Sequence, residues 1–280
     1  MSARITLIVP CFNDGDLVRE ALASIEEDEP VEVVVVDDHS TDPATLAMLD
    51  EVSSQGVRVA RHEENRGVGP ARQTGLQETS APYVFPLDAD DLAVPGALAA
   101  MAERLDADPA AAVCFGDYAE FGDSEVLRAV PERLDPYRLA YANEYPIASM
   151  FRRSALDRVG GFTPNGYTGS SYEDWNLWMT LAESGARGVH LGSGRPTYRR
   201  RLHGERKLQS GKRRHTELYR ELRREHPLLF DRLREHRRSS DLSAPRKLLY
   251  PVVYGGRRRF RFERRVKSAL DRLGVWTLRR

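Results

Sequence analysis

Apolar runs and helical repeats alternate along the first 120 residues. Largely apolar runs, which are typical of buried strands, occupy 5–9, 31–36, 57–60, 83–87 and 112–115. Apolar residues at helical spacing lie between them, over 14–27, 43–54, 70–78 and 95–105. Strands that alternate with helices in this way predict an α/β fold, a mostly parallel sheet flanked by helices.

The alternation ends after about residue 120. Residues 137–172 are rich in Tyr, Gly, Asn and Ser, which predicts loops around a site. A helical stripe follows at 174–184, and a strand-like run at 197–202. From residue 212 the chain is mostly charged, with helical spacing.

Charge is distributed unevenly along the chain, although the net charge is zero. Residues 1–194 carry 14 Lys and Arg against 33 Asp and Glu, whereas residues 195–280 carry 28 against 9. We therefore predict an α/β domain over 1–210 and a basic, mainly helical extension over 211–280. Such asymmetry indicates that the extension meets an anionic partner.

The end of the extension has the pattern of an amphipathic basic helix. Its apolar residues recur at helical spacing: Phe262, Val266, Ala269, Leu270, Leu273 and Trp276. Arginines and a lysine lie between them, a composition that suits an anionic membrane interface. The alternative is that the stripe packs on the α/β domain or on a partner subunit. No nucleic acid partner is expected.

The cysteines and the N-terminus predict a location inside the cell. Cys11 and Cys114 both fall in apolar runs, as buried free thiols do in a reducing compartment. The first residues lack the basic and apolar regions of a signal peptide, and no apolar run approaches the roughly 20 residues of a membrane span. We expect a cytoplasmic protein, with the inner face of the cell membrane as a further location.

Polar clusters follow three of the predicted strands: PCFND at 10–14, DDHSTD at 37–42 and DADD at 88–91. Ligands of parallel sheets bind outside the carboxyl ends of the strands, so these clusters are expected to share one crevice. Asp88 and Asp90 have the D-x-D spacing, and hard divalent cations bind carboxylate oxygens. Taken alone, DADD favours a charged turn that caps the following helix.

Six blocks in order over residues 5–183 give the sequence a family resemblance: VPCFND, VVVVDDHSTD, NRGVGPARQTGL, FPLDADD, VGGF and YEDWNLWMTL. Together they resemble the inverting glycosyltransferases of family 2, which have the GT-A fold. The resemblance implies transfer of a sugar from a nucleotide-diphosphate sugar to an acceptor hydroxyl, with Mn²⁺ or Mg²⁺ as cofactor. The implied setting is synthesis of a bacterial surface polysaccharide or glycoconjugate.

The resemblance also assigns roles to individual residues. It implies nucleotide contacts for Pro10, Phe12, Asp38, Asn65, Arg72, Asp88 and Ala89. It implies metal contacts for Asp90 and His203.

Asp174 is the general base that the resemblance implies, with Gly161, Glu173 and Trp175 on the acceptor side. Burial, or the neighbouring Glu173, would raise the pKa of Asp174 towards a useful value, whereas a helix N-terminus would lower it. The structural alternative is that both acids only complement the helix dipole.

The donor and the acceptor remain open at this stage. UDP is the expected nucleotide, with dTDP and GDP as alternatives, and the acceptor is a glycan, a lipid-linked sugar or a small molecule. His39 and the stretch Trp178–Thr180 depart from the family pattern and bear on donor choice. The alternative function is a catalytically inactive nucleotide-sugar-binding or scaffolding subunit of a glycan assembly complex.

Overall fold

The computed structural model describes residues 3–122, 125–166, 172–202 and 208–254, together with 269 and 272. His203 and most of the predicted amphipathic stripe at 262–276 lie outside the described residues.

Strands and helices are numbered in chain order over the described residues. The strands β1 to β11 are Ile5–Cys11, Val31–Asp37, Arg58–Arg61, Tyr83–Pro86, Leu92–Ala93, Ala111–Phe115, Asp117–Gly122, Val126–Arg128, Met150–Arg152, Arg187–His190 and Pro196–Leu202. The helices α1 to α11 are Gly15–Ala23, Pro43–Ser54, Val68–Gln77, Ala97–Asp106, Pro136–Leu139, Arg153–Val159, Glu173–Glu183, Leu208–Glu225, Pro227–Asp231, Leu233–Ser239 and Ala244–Tyr254. A short 3₁₀ turn lies at Pro164–Gly166.

Seven strands form the main sheet, in the order β10-β6-β9-β4-β1-β2-β3. All neighbours in it are parallel except at β9, which runs antiparallel to both β4 and β6. Every residue of β1 is buried, because this strand lies inside the sheet with helices over both faces. The α/β fold predicted from the alternating pattern is therefore confirmed.

A second, four-stranded sheet has the order β5-β11-β7-β8 and was not predicted. Its strands β5 and β8 have two and three residues, too short for a period of two to emerge from the sequence. The sheet brings β11 alongside Leu92 and Ala93, which directly follow the acidic DADD turn.

Helix α1 ends at Ala23, four residues before the predicted end at Glu27, and Glu27 instead binds the start of helix α4. Its two carboxylate oxygens accept hydrogen bonds from the backbone N–H groups of Leu98 and Ala99, at 2.9 and 3.0 Å. These are orphan donors of the first turn of α4, so Glu27 caps that helix from a distant part of the chain. By contrast, α2 begins at Pro43 as predicted, with Asp42 accepting a hydrogen bond from Thr45 N.

The region 137–172 contains more regular structure than the predicted loops. Helices α5 and α6 and strand β9 lie within or overlap it, and β9 fills the gap between β4 and β6. Its composition misled the prediction because β9 has only three residues and α6 only seven.

The described part of the C-terminal extension packs on the rest of the fold. Tyr219, Leu222 and Leu229 share a core cluster with Trp178 of α7. Helix α9 contacts α7, α8 and α10, and α10 also contacts α5. The boundary proposed at residue 210 thus separates elements that share a hydrophobic core. Among the described residues, no helix combines the length and the apolar character needed to cross a bilayer.

Candidate active site

The three polar clusters lie side by side at one edge of the main sheet. Strand β1 pairs with β2 on one side, so that Cys11 lies opposite Asp37, and with β4 on the other. Backbone hydrogen bonds continue past the strand ends: Asp38 N donates to Cys11 O at 2.8 Å, and Leu87 N donates to Ile8 O at 2.9 Å. The residues that follow β1, β2 and β4 are therefore neighbours in space.

Asp88, Asp90 and Asp91 form a compact carboxylate cluster after β4. One carboxylate oxygen from each residue lies within 4.8 Å of the others. Asp88 is half-exposed, whereas Asp91 is buried. This all-oxygen donor set has the chemistry that Mg²⁺ and Mn²⁺ prefer, and it fits the metal predicted for the D-x-D motif.

Asp91 also fixes the acidic turn to β11. Its Oδ1 accepts a hydrogen bond from Arg201 N at 2.9 Å, and the Nε of Arg201 donates to the backbone oxygen of Asp90 at 3.0 Å. Burial and the neighbouring charges of Asp88 and Asp90 raise the pKa of Asp91 well above its usual range. Asp91 is therefore both a structural anchor and a member of the cluster.

Arg72 of α3 connects the acidic turn with the start of α7. Its Nη2 donates to Oδ1 of Asp88 at 2.5 Å, and its Nη1 lies 3.4 Å from Oε1 of Glu173. The Arg72 side chain is 3% exposed, and its Nε has no hydrogen-bond partner within the described structure. Burial alone would lower the pKa of Arg72, but the carboxylates of Asp88 and Glu173 raise it.

Glu173 and Asp174 begin α7 and face this crevice. Asp174 Oδ2 accepts a hydrogen bond from Asn143 Nδ2 at 2.9 Å, and Oδ1 accepts one from Trp175 N at 2.7 Å. Burial, followed by the charge of Asp174, raises the pKa of Glu173 to about 7. Burial also raises the pKa of Asp174, against the lowering effects of its hydrogen bond from Trp175 N and of Arg72. The effect of burial is the largest of these, so the pKa of Asp174 is raised overall.

Asp38 follows β2, as predicted, but its carboxylate is engaged by the protein itself. Oδ1 accepts a hydrogen bond from Arg66 N at 2.8 Å and contacts His62 Nδ1 at 2.7 Å, while Oδ2 accepts one from Gly67 N at 2.7 Å. Asp38 thereby shapes the turn that precedes α3. Asn65 lies exposed on this turn. A nucleotide that makes the contact predicted for Asp38 would have to share a carboxylate that already has three partners within the protein.

The remaining nucleotide candidates differ in exposure. Pro10 and Ala89 are buried, whereas Phe12 is half-buried just beyond β1. His39 is exposed beside the strand ends, and its φ of 66° is a left-handed conformation that few residues with a side chain adopt. Phe12, Asn65 and His39 thus have side chains that are at least partly exposed and within reach of a ligand.

Gly161 and Trp175, the residues predicted on the acceptor side, both have close contacts within the fold. The Trp175 side chain is buried and its Nε1 donates to Leu139 O at 2.8 Å. Gly161 has a φ of 80°, and a Cβ at this position would meet the amide of Gln73 at 2.0 Å. The predicted contact of both residues with an acceptor stays a prediction.

Sequence reasoning missed Asn143, the side chain that hydrogen-bonds Asp174. It lies 31 positions before its partner, in a segment predicted only as loops, and no periodic pattern marks it. Its polarity within the Tyr- and Asn-rich segment was the one available signal.

Comparison with known proteins gives this geometry a family context. ExoO, the succinoglycan biosynthesis protein of Rhizobium meliloti strain 1021, is 38% identical over 105 residues, which are 37% of this chain and 30% of that protein. The match to ExoU, another succinoglycan biosynthesis protein of that strain, covers 28% of its length. The chain therefore matches less than a third of either relative.

Solved structures share the fold at lower identity. Residues 1–349 of TarS from S. aureus, crystallised with UDP-GlcNAc, superpose with a TM-score of 0.64 and 21% identity, covering 98% of this chain and 78% of that one. The mannosyltransferase PcManGT from Pyrobaculum calidifontis, in complex with GDP-Man and Mn²⁺, gives a TM-score of 0.57 at 20% identity, covering 97% and 76%. The model of the family described as "Glycosyl transferase family 2" matches residues 6–162, more than half of the chain, and the chain therefore belongs to glycosyl transferase family 2.

Proposed function

We propose that this protein is a metal-dependent inverting glycosyltransferase that moves a sugar from a nucleotide-diphosphate sugar to an acceptor hydroxyl. The observation that supports this most is the arrangement around Arg72: the buried guanidinium joins Asp88 of the acidic turn to Glu173, next to Asp174. A metal-ligand set and a carboxylate base thus flank one crevice, as the transfer requires.

Asp88, Asp90 and Asp91 are the described residues that would hold Mn²⁺ or Mg²⁺, with His203 a further candidate outside the described residues. When bound, the cation offsets the negative charge of the diphosphate as it leaves. The chain's own contribution is to hold the carboxylates together against their mutual repulsion. Two hydrogen bonds reduce this repulsion: Arg72 donates to Asp88, and the backbone N–H of Arg201 donates to Asp91.

Asp174 acts as the general base in this proposal. The acceptor oxygen attacks the anomeric carbon and loses its proton to an Asp174 carboxylate oxygen, while the bond from that carbon to the diphosphate oxygen breaks. This single displacement inverts the anomeric configuration. The raised pKa of Asp174 strengthens the base, since a carboxylate of higher pKa holds the proton better.

The donor is proposed to be a UDP-sugar and the acceptor a growing surface glycan. The first point has support from TarS, solved with UDP-GlcNAc, although PcManGT was solved with GDP-Man. The second has support from ExoO, a protein of succinoglycan biosynthesis.

The C-terminal segment is proposed to meet an anionic membrane surface on the cytoplasmic side. Leu248 and Val252 lie one turn apart on α11 and are 63% and 39% exposed, shortly before the basic sequence that begins at residue 257. Truncation after Tyr254 is the appropriate test, because Tyr250 and Val253 are buried in a core cluster with Tyr137. Full-length protein is expected to float with phosphatidylserine vesicles and the truncated form to stay behind; equal flotation of both would contradict this part of the proposal.

Transfer activity is tested with a panel of UDP-, GDP- and dTDP-sugars, with and without Mn²⁺. The expected result is metal-dependent nucleotide release with at least one donor, lost in Asp90→Ala and retained in Asp16→Ala, a control that removes a side chain 92% exposed. Nucleotide binding without turnover on any donor and a set of glycan acceptors would favour the alternative of an inactive binding subunit.

A further inference from the structure

Asn143 fixes the orientation of the Asp174 carboxylate. Its Nδ2 donates to Asp174 Oδ2 at 2.9 Å, and its own Oδ1 accepts a hydrogen bond from Tyr145 N at 3.1 Å. A flipped amide would set oxygen against oxygen at Asp174 and N–H against N–H at Tyr145, so the two contacts determine the amide orientation together. Since Oδ1 of Asp174 is held by Trp175 N, each carboxylate oxygen has one donor and keeps a lone pair for a hydroxyl.

Glu144, the next residue, is held by the C-terminal helices. Its Oε2 accepts a hydrogen bond from the Tyr250 hydroxyl of α11 at 2.6 Å and one from Arg138 Nη1 at 2.8 Å. Arg138 also donates from Nε to Asp241 Oδ1 at 3.0 Å, between α10 and α11. The Arg138 side chain is 9% exposed, so these charges attract one another with little screening by water.

Tyr145, the third residue in the row, is anchored in the core. Its hydroxyl donates to Arg133 O and accepts from Asp135 N, both at 2.8 Å. Its ring packs against Phe115 and Trp178, with centroid distances of 5.1 and 5.4 Å. Residues 143–145, named here the Asn143 loop, therefore point three consecutive side chains at the site, at the C-terminal helices and at the core.

We infer that the Asn143 loop positions Asp174 for catalysis, and that α11 holds this loop through the hydrogen bond between Tyr250 and Glu144. Asn143 and Tyr250 are thus positioning residues, and the C-terminal helices are part of the catalytic unit. This inference rests on the proposed function, in which Asp174 is the base. Small displacements of a catalytic group have large effects on rate, so loss of an orienting contact lowers turnover even when binding is intact.

The test uses the full-length chain with Mn²⁺ and the UDP-sugar that gives turnover, and it measures UDP release. Asn143→Ala is expected to lower kcat by about tenfold to a hundredfold, the effect of one lost hydrogen bond to a charged group. Tyr250→Phe, which removes only an oxygen atom, is expected to lower kcat by about threefold to tenfold, because it acts one step further away. The donor KM and the calorimetric affinity for UDP are expected to stay within about twofold of wild type. Gln55→Ala, which removes an exposed amide just after the end of α2, is the matched control.

Unchanged kcat in Asn143→Ala or in Tyr250→Phe would overturn the corresponding half of the inference. Parallel losses in kcat and in UDP affinity would also overturn it, since general damage to the fold moves both. If the wild type turns over no donor, the proposed function fails. A double-mutant cycle of unfolding free energies for Asn143→Ala and Asp174→Ala then decides whether the hydrogen bond between these two residues orders the loop. Non-additive free energies support that contact, and additive ones overturn it.

Discussion

Arg72 donates a hydrogen bond to Asp88 over 2.5 Å and thereby ties helix α3 to the acidic turn that follows β4. The arginine is 3% exposed, whereas the aspartate side chain is 39% exposed, so a buried cation meets a carboxylate that still faces the crevice. Glu173 lies on the other side of the guanidinium. The positive charge of Arg72 therefore offsets the repulsion between the carboxylates of Asp88 and Glu173.

Arg72→Met is expected to destabilise the fold, because it leaves Asp88 and Glu173 without their shared cation. The expected loss is about 1.5–3 kcal/mol in the free energy of unfolding, measured by urea denaturation. Arg19→Met is the matched control: Arg19 also has two carboxylate partners, but its side chain is 49% exposed, so its loss is expected to stay below about 1 kcal/mol. Equal losses in the two variants would show that burial of the Arg72 pair adds nothing.

Asp90→Ala is expected to abolish the effect of Mn²⁺ on nucleotide binding. Removal of one carboxylate from the cluster leaves fewer hard oxygen ligands for the cation. Calorimetric titration of UDP with and without Mn²⁺ measures the effect, and Asp16→Ala is expected to behave as wild type. Unchanged metal-dependent binding in Asp90→Ala would remove Asp90 from the ligand set.

Much of the sheet could be predicted from the sequence because its parallel strands are buried on both faces. Such strands appear as continuous apolar runs, and the polar residues that end them mark the ligand edge. Asp42 and Pro43 likewise mark the start of α2 by local chemistry alone. Short-range signals of this kind are fully present in the sequence.

The parts that could not be predicted depend on contacts between distant segments. Glu27 caps α4 from 71 positions away, and the Tyr250 hydroxyl reaches Glu144 over 106 positions. Neither pairing leaves a periodic pattern. Composition likewise gives no sign that Tyr219, Leu222 and Leu229 of the predicted extension share a core cluster with Trp178. The engaged carboxylate of Asp38 has the same origin, since its partners lie in the turn before α3.

Glu173→Gln is expected to change how stability depends on pH. The pKa of Glu173 is raised from 4.5 to about 7, so between these pH values the folded chain binds a proton that the unfolded chain releases. Stability of the wild type therefore falls as pH rises through this window, and the loss is complete above pH 7. Glutamine cannot ionise, so the variant does not lose this stability. As pH rises from 4.5 to about 7, its free energy of unfolding is expected to gain on the order of 1–3 kcal/mol relative to that of the wild type.

Urea unfolding at several pH values measures this difference, with Glu63→Gln, a change at an exposed glutamate, as control. Other titrating groups are common to both chains and largely cancel. A difference between Glu173→Gln and wild type that does not vary with pH would contradict the raised pKa.

Asp174→Asn is expected to separate binding from transfer. The substitution keeps the shape of the side chain and a hydrogen-bonding oxygen. It removes the carboxylate that would take the proton from the hydroxyl of the sugar acceptor. Transfer is therefore expected to fall by about 10²–10⁴-fold, while Mn²⁺-dependent UDP affinity stays within about twofold, since Asp174 lies at the start of α7 and outside the acidic turn. Asp157→Asn, at an exposed position of α6, is the control for loss of one carboxylate elsewhere. Full transfer activity in Asp174→Asn would place the base at another residue, and Glu173, whose pKa is also raised and whose carboxylate contacts Arg72, would be the next side chain to test.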